Sequence, residues 1–227
     1  MGPNGIVVRP IEQWGLHSVR EAAESISYRA ELWLPNNSLL TPDQLGAFED
    51  LLRSEVAVEA DWQLFFEQNP TFLYLLGDFE DHLPQVTLSP QVFLEGEEQS
   101  LELRPDFLLK RVGLEQWDIL ELKLPKTPLV VGRAARRRLS SGVKEAVAPL
   151  STYAEFFRDR QNLKWVRGRL GLQMSSPRLY VLIGRDTSFG SIAEKTKFAE
   201  SEGVKVFTFD DLHRIAKHKT VKGTVSS

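Results

Sequence analysis

Two carboxylates and one lysine stand in the sequence at a spacing that suits chemistry on a phosphate group. Asp106 follows Pro105, and fifteen residues later come Glu121 and Lys123, separated by one leucine. In an extended strand, side chains two residues apart project from the same face, about 7 Å apart. Carboxylates are preferred ligands of Mg²⁺ and Mn²⁺, which polarise a phosphate and acidify a bound water. The spacing therefore predicts a metal site for phosphodiester hydrolysis, with Lys123 orienting the water or stabilising negative charge. The alternative is a surface ion pair on an edge hairpin.

The elements that must position these residues are extended segments of the second half of the chain. Runs punctuated by Gly96 and Gly113 predict three strands of an antiparallel meander, and a later continuous apolar run is typical of a central buried strand. The predicted strands are 86–93, 100–110, 116–123, 178–184 and 204–209.

Helices are predicted on both sides of these strands. Thr41 followed by Pro42 and Gln44 is a helix-start pattern, and Pro149 is expected to kink or divide the longest helix. Residues 161–177 are predicted to be a basic loop. The predicted helices are 42–53, 58–68, 140–160, 191–202 and 210–217. The order of elements predicts an α/β (α+β) fold, with a mixed β-sheet core flanked by helices and a small N-terminal appendage.

Pro105, Asp106, Glu121 and Lys123 together resemble the motif of the PD-(D/E)xK nuclease superfamily. The pattern is most similar to the Shedu anti-phage nuclease domain, and the similarity covers about residues 55–218. It is carried further by the segments 59–70, 180–185 and 206–212. The resemblance implies a restriction-endonuclease-like fold, metal-dependent hydrolysis of DNA with Mg²⁺ or Mn²⁺, bacterial defence against phage, and homo-oligomeric assembly.

Carried over residue by residue, the resemblance makes Asp106 and Glu121 metal ligands and Lys123 the catalytic lysine. Glu59 matches an acidic position on the first core helix that points at the metal in many such nucleases. Gln63, one turn further on the same helix face, is expected to support it. Tyr153 matches the tyrosine of the long helix. The glutamine that family members often carry four residues earlier is replaced by Pro149, which cannot donate that hydrogen bond.

Charge is distributed unevenly along the chain. The net charge is −3, yet residues 1–100 carry 4 basic and 17 acidic groups, and residues 133–169 carry 10 basic and 3 acidic groups. A local basic surface is what contacts the phosphates of a nucleic acid without reading its sequence. A solvated arginine-rich surface is the alternative. The expected DNA-binding residues are Lys126, Arg133, Arg136, Arg137, Arg138 and Lys144.

Composition excludes several classes of protein. The chain has no cysteine, so disulfide frameworks, zinc fingers, iron–sulfur clusters and cysteine nucleophiles are ruled out. No apolar run reaches the roughly 18 residues that span a bilayer, and residues 1–11 lack the pattern of a secretion signal. We therefore expect a cytoplasmic bacterial protein without a membrane partner.

Two functions of different classes remain open at this point. The first is a Mg²⁺-dependent DNA nuclease, with RNA or branched DNA as other possible substrates. The second is a catalytically silent nucleic-acid-binding or assembly module of the same fold, which Pro149 favours. The expected domains are an appendage at 1–54, a nuclease-like domain at 55–220 and a disordered tail at 221–227.

Overall fold

The computed structural model describes residues 40–89, 103–132, 138–189, 191, 194–195 and 204–220. The chain divides after Ser38 into two units, and every described residue belongs to the second. The division does not fall after residue 54, where the sequence placed the end of the appendage, because helix Pro42–Arg53 buries Phe48 in the core of the second unit. The predicted tail at 221–227 lies outside the described residues.

Six α-helices are described, with a π-helix at Val166–Leu170 and a 3₁₀ turn at Asp186–Ser188. The α-helices are α1 Pro42–Arg53, α2 Glu59–Gln68, α3 Thr71–Tyr74, α4 Ser141–Phe156, α5 Arg160–Trp165 and α6 Phe209–Lys219. The strands of the same part of the chain are β1 Phe79–Pro84, β2 Phe107–Arg111, β3 Trp117–Leu122, β4 Val130–Val131, β5 Arg138–Leu139, β6 Leu179–Leu182 and β7 Lys205–Phe207.

Five of these strands form one mixed sheet in the order β1-β2-β3-β6-β7. The β1–β2 and β2–β3 pairs are antiparallel, whereas β3–β6 and β6–β7 are parallel. Strands β4 and β5 form a separate short hairpin. Strand β3 is therefore the centre of the sheet, and the predicted α+β class with a mixed sheet flanked by helices is confirmed.

Both faces of the sheet are covered, which explains why β3 is buried at every position. Its Ile119 packs into a core with Val143 and Leu150 of α4. Its Leu120 packs on the opposite face, into an aromatic core that includes Phe48 and Trp62. A strand buried on both faces reads as a continuous apolar run, so a charged residue in it stands out.

Local sequence signals set several of the helix boundaries. Thr41 caps α1 through its side-chain oxygen, which accepts from the backbone N–H of Gln44 at 3.2 Å, and the Gln44 side chain accepts in return from the Thr41 N–H at 3.0 Å. Thr208 and Asp211 form the same reciprocal cap at the start of α6. The predicted helix 42–53 is confirmed at both ends. The helix predicted at 58–68 begins one residue later, and the helix predicted at 210–217 begins one residue earlier and ends two residues later.

The first part of the predicted meander is wrong. The strand that precedes β2 in the meander is β1, whose residues 79–84 were not predicted to form a strand. In the predicted strand 86–93, the described residues contain one isolated bridge, between Leu88 and Leu103. β1 was missed because an edge strand carries polar residues such as Glu80 and Asp81. The strands predicted at 178–184 and 204–209 are present but shorter.

The region after the long helix also differs from the prediction. Residues 161–177 are not a loop throughout, because Asp159 caps α5 by accepting from the N–H groups of Gln161 and Asn162. Pro149 lies inside α4, which continues through it as one helix from residue 141 to 156. Most of the predicted helix 191–202 lies outside the described residues. Among the helices described, none combines the length and the apolar character that a membrane crossing requires.

Candidate active site

The candidate site lies where the amino end of β2 meets the carboxyl end of β3. Phe107 is registered with Leu120, so Asp106, one residue earlier, stands opposite Glu121. The carboxylate of Asp106 accepts a hydrogen bond from the backbone N–H of Leu122 at 2.7 Å. The antiparallel register therefore brings together the two carboxylates that the sequence separates by fifteen residues.

Lys123 joins the carboxylates to helix α2. Its Nζ donates to Oε1 of Glu121 at 3.1 Å and to Oε1 of Glu59 at 2.9 Å. The backbone N–H of Lys123 donates to the carbonyl oxygen of Leu182 at 2.9 Å, which fixes the lysine against β6. Glu121 is 7% exposed, so the ammonium group is its main source of positive charge in a largely desolvated place.

Burial opposes the ionisation of both carboxylates. Burial, and then the negative charge of Asp106, raise the pKa of Glu121 from 4.5 to about 7, although Lys123 acts in the other direction. Burial also raises the pKa of Asp106, against the hydrogen bond from the Leu122 N–H. Burial alone would lower the pKa of Lys123, but Glu121 and Glu59 outweigh it and the pKa lies above its ordinary value. The lysine is therefore an ammonium ion at neutral pH.

Two buried oxygens of this region have no hydrogen-bond donor within the described part of the chain. They are Oε2 of Glu121 and Oε1 of Gln63. The Gln63 amide group donates from Nε2 to Glu67 at 2.8 Å and to the carbonyl oxygen of Asp106 at 3.4 Å. Because both neighbours of Nε2 are acceptors, the amide cannot be reversed to satisfy its oxygen. Unsatisfied buried acceptors call for a donor or a cation.

Tyr153 of α4 is buried near the same carboxylates. Burial raises its pKa, and the charges of Glu121 and Asp106 raise it further. The phenol is therefore a neutral donor at physiological pH. Pro149, one turn earlier on α4, supplies no donor at the position where the family resemblance expects a glutamine.

The donor set suits a hard divalent cation. Asp106 and Glu121 offer carboxylate oxygens, one of which has no hydrogen-bond partner among the described residues. Burial is the main reason that the pKa of each group is raised, and a cation beside them would offset the cost of ionising them there. No group of three or more His, Cys, Asp or Glu side chains arranged for a metal is found among the described residues. Two protein carboxylates with water and phosphate oxygens form the ligand set that Mg²⁺ commonly has beside a phosphate. Glu59, which pairs with Lys123, remains a predicted third ligand.

The predicted DNA-binding residues are only partly described. Lys126, Arg138 and Lys144 are exposed, in the turn after β3, on β5 and at the start of α4. Arg133, Arg136 and Arg137 lie outside the described residues.

A second charged cluster beyond the carboxyl end of β6 was not predicted. Lys195 donates to Asp186 at 2.6 Å and to Asp211 at 2.5 Å, and Arg214 also binds both carboxylates. The helix predicted at 210–217 gave no sign of this cluster, because Thr208, which caps the helix, contacts Lys195 and Asp186, 13 and 22 residues earlier in the chain.

These features define an α+β domain with a carboxylate pair and a lysine at the end of its central strand. The sequence matches the family described as Shedu protein SduA, C-terminal, over residues 57–213, which is more than half of the chain. The chain belongs to the Shedu family, and this membership implies a role in anti-phage defence. No curated protein matches the sequence.

Proposed function

We propose that this protein is a divalent-metal-dependent nuclease of the PD-(D/E)xK type that hydrolyses phosphodiester bonds in DNA during defence against phage. The observation that carries the proposal is the convergence of Asp106, Glu121 and Lys123 around Oε2 of Glu121, which has no hydrogen-bond partner among the described residues. A buried carboxylate with a pKa near neutrality beside a charge partner is typical of a functional site.

Each residue has a role that follows from its surroundings. Asp106 and Glu121 would hold Mg²⁺ or Mn²⁺, which when bound supplies Lewis acidity and a more acidic water. Lys123 keeps its proton, and its ammonium group offers positive charge to a phosphate oxygen as negative charge develops there. Glu59 and Glu121 fix the position of that ammonium group. Hydrolysis adds the elements of water across one P–O bond, leaving a phosphate on one strand end and a hydroxyl on the other.

The test is cleavage of linear and circular DNA by the purified full chain, with Mg²⁺, Mn²⁺ or EDTA, comparing Lys123→Met with Lys110→Met. Lys110 is a matched control, because its side chain is 20% exposed against 24% for Lys123 and it also binds two carboxylates, of Glu80 and Glu115. We expect metal-dependent cleavage that falls at least about 100-fold in Lys123→Met and is retained in Lys110→Met. RNA and branched DNA run in parallel define the substrate class.

Equal cleavage by wild type and Lys123→Met would refute the mechanism. Absence of cleavage by the wild type on every substrate, with DNA binding retained, would instead support the silent nucleic-acid-binding module. Circular dichroism of both variants shows whether loss of activity is loss of fold.

A further inference from the structure

A pocket of about 230 Å³ lies beside the candidate active site. Its lining includes Ala57 and Trp62, which lie on either side of Glu59 in the sequence. It also includes Pro125 and Lys126, which follow Lys123 in the turn after β3. The Glu59–Lys123 ion pair joins the two segments that supply these residues, so the pocket adjoins the charged site.

Arg185 borders the pocket and is held in place by Asp210. Its Nε donates to Oδ1 of Asp210 at 2.8 Å, and the other oxygen of Asp210 accepts from the backbone N–H of Asp186 at 2.7 Å. A guanidinium group has five N–H donors, and Asp210 engages one edge of it. The remaining edge can bind an anion without loss of the Asp210 contact.

Lys126 supplies a second cation on the same pocket. Its side chain is exposed, and within the described residues it forms no ion pair. The turn that carries it is fixed, since the N–H of Gly184 donates to the carbonyl oxygen of Leu124 at 3.2 Å. Gly184 has a φ of +63°, and a Cβ there would meet the carbonyl oxygen of Thr127 at 2.7 Å. This close approach brings the turn beside the residue that precedes Arg185, so both cations are pre-positioned.

The rest of the pocket is lined by apolar residues together with Arg53, Ser54 and Glu55. Leu52, Ala57 and Pro125 line it, and so does Trp62, whose buried indole N–H has no acceptor within the described part of the chain. Its size is below the roughly 300–1,000 Å³ of pockets for drug-sized ligands. Arg53 is already paired with Glu49 and Asp50, which leaves Lys126 and the outer edge of Arg185 to oppose the single carboxylate of Glu55. Apolar residues beside these two cations suit a small ligand with a flat body and a phosphate group.

We propose that this pocket binds one nucleotide of the DNA strand next to the phosphate that is cleaved. Lys126 and Arg185 pair with its phosphate, and Leu52, Ala57 and Pro125 contact its sugar or base. The inference rests on the proposed nuclease function and adds a nucleotide subsite and the residues that form it.

The test is titration of the full ¹⁵N-labelled chain with thymidine 5′-monophosphate and, separately, with inorganic phosphate, followed by NMR. We expect the nucleotide to shift the amide resonances of Leu124 and Lys126, and inorganic phosphate to bind more weakly. Lys126→Met should weaken nucleotide binding about three- to tenfold, as expected for one lost phosphate contact. Lys205→Met is the control, because Lys205 is also exposed but lies over the rings of Tyr180 and Phe207 at the opposite end of the parallel strands.

A second readout uses cleavage of a short oligonucleotide. Lys126→Met should raise KM by a similar factor with kcat unchanged, and the slope of log K against log salt for DNA binding should fall by about 0.9. Absence of shifts in the 124–126 turn, or equal affinity for inorganic phosphate and the nucleotide, would overturn the inference. A third outcome separates the two proposals. If the wild-type chain cuts no DNA but binds the nucleotide, and Lys126→Met weakens that binding, the nuclease proposal is refuted and the nucleotide pocket is supported.

Discussion

Glu121 is surrounded by groups that keep its carboxyl group partly protonated at neutral pH in the metal-free protein. Burial and Asp106 raise its pKa from 4.5 to about 7, so the folded state binds this proton more tightly than the unfolded state. The resulting stabilisation is fully present below the unfolded pKa of about 4.5 and is lost as the pH rises through about 7. A substitution that leaves no titratable group at position 121 therefore removes the loss of stability at high pH.

Glu121→Gln should therefore stabilise the metal-free protein most at high pH. In EDTA we expect its Tm to exceed that of the wild type by about 3–6 °C at pH 8 and by much less at pH 5, since each kcal/mol shifts Tm by about 2–4 °C in a domain of this size. Differential scanning calorimetry between pH 5 and 8 measures the difference. Glu155→Gln, an exposed carboxylate on α4, is the control, and a Tm difference independent of pH for Glu121→Gln would contradict the assignment.

At the scale of residues, sequence reasoning foresaw the pair Asp106 and Glu121 because antiparallel pairing across one turn is a local property. It also placed Glu59 and Gln63 on one helix face. It did not give the contact from Lys123 to Glu59, which are 64 residues apart, because that distance depends on how α2 packs on the sheet. The orientation of the Gln63 amide likewise follows only from its two acceptors.

Helix α4 contains a proline in its interior, where the missing N–H leaves one carbonyl of the preceding turn without its usual partner. Interior proline costs about 3 kcal/mol relative to alanine in an exposed helix. Pro149→Gln should restore the backbone N–H donor and raise Tm by about 3–8 °C. It also supplies the glutamine side chain that the family resemblance implies at this position, so we expect DNA binding to tighten. Thermal unfolding and DNA titration measure the two effects separately. A Tm lower than that of the wild type would show that the packing around α4 accommodates proline better than glutamine at position 149.

Helices α1 and α6 are linked by Glu49, whose Oε1 lies 2.7 Å from Nε2 of His213. This hydrogen bond is the largest influence and lowers the pKa of Glu49; burial opposes it, and the charges of His213, Lys217 and Arg53 lower the pKa further. Stabilisation from this group is therefore present above its ordinary pKa of 4.5 and is lost as the pH falls through the lowered value.

Glu49→Gln should thus lower Tm by about 1–3 °C at pH 7 and have a smaller effect at pH 3.5. Asp50→Asn is a suitable control on the same helix, because Asp50 is 76% exposed and pairs only with Arg53 among the described residues. The same decrease at both pH values would show that shape, and not charge, is what Glu49 contributes.

At the scale of elements, strong local signals were predictive and weak ones were not. The caps at Thr41 and Thr208 and the apolar run of β6 are encoded within a few residues, and the corresponding elements were predicted. Strand β1 is defined by its position at the edge of the sheet and by its pairing with β2. Neither feature is encoded in the local sequence. Its polar residues gave no alternating pattern to recognise.

Over the whole molecule, acidic residues dominate the first hundred positions, and basic residues dominate 133–169. This separation of charge along the chain is visible in the sequence, but the path of bound DNA depends on where the charged side chains lie in the folded protein. Lys126, Arg138 and Lys144 are exposed, as the proposed backbone contacts require.

The double variant Arg136→Ala with Arg137→Ala tests the basic segment as a DNA-binding surface. If both arginines contact phosphates, affinity should fall and the slope of log K against log salt should become shallower by about 1.8. Fluorescence anisotropy with a labelled duplex in EDTA, at several salt concentrations, measures both quantities. Lys205→Ala with Lys219→Ala removes the same charge elsewhere, and an unchanged slope in the arginine variant would place the DNA path on another surface.

The two ends of the described unit meet. The N–H of Leu40 donates to the carbonyl oxygen of Lys219 at 3.1 Å, and Leu40 forms a bridge with Thr220. A unit that the chain enters and leaves at one point can be inserted into a loop of another protein, or joined to different recognition domains, without being stretched. Residues 40–220 could therefore be grafted as one unit into a loop of a carrier protein with their ends left in place.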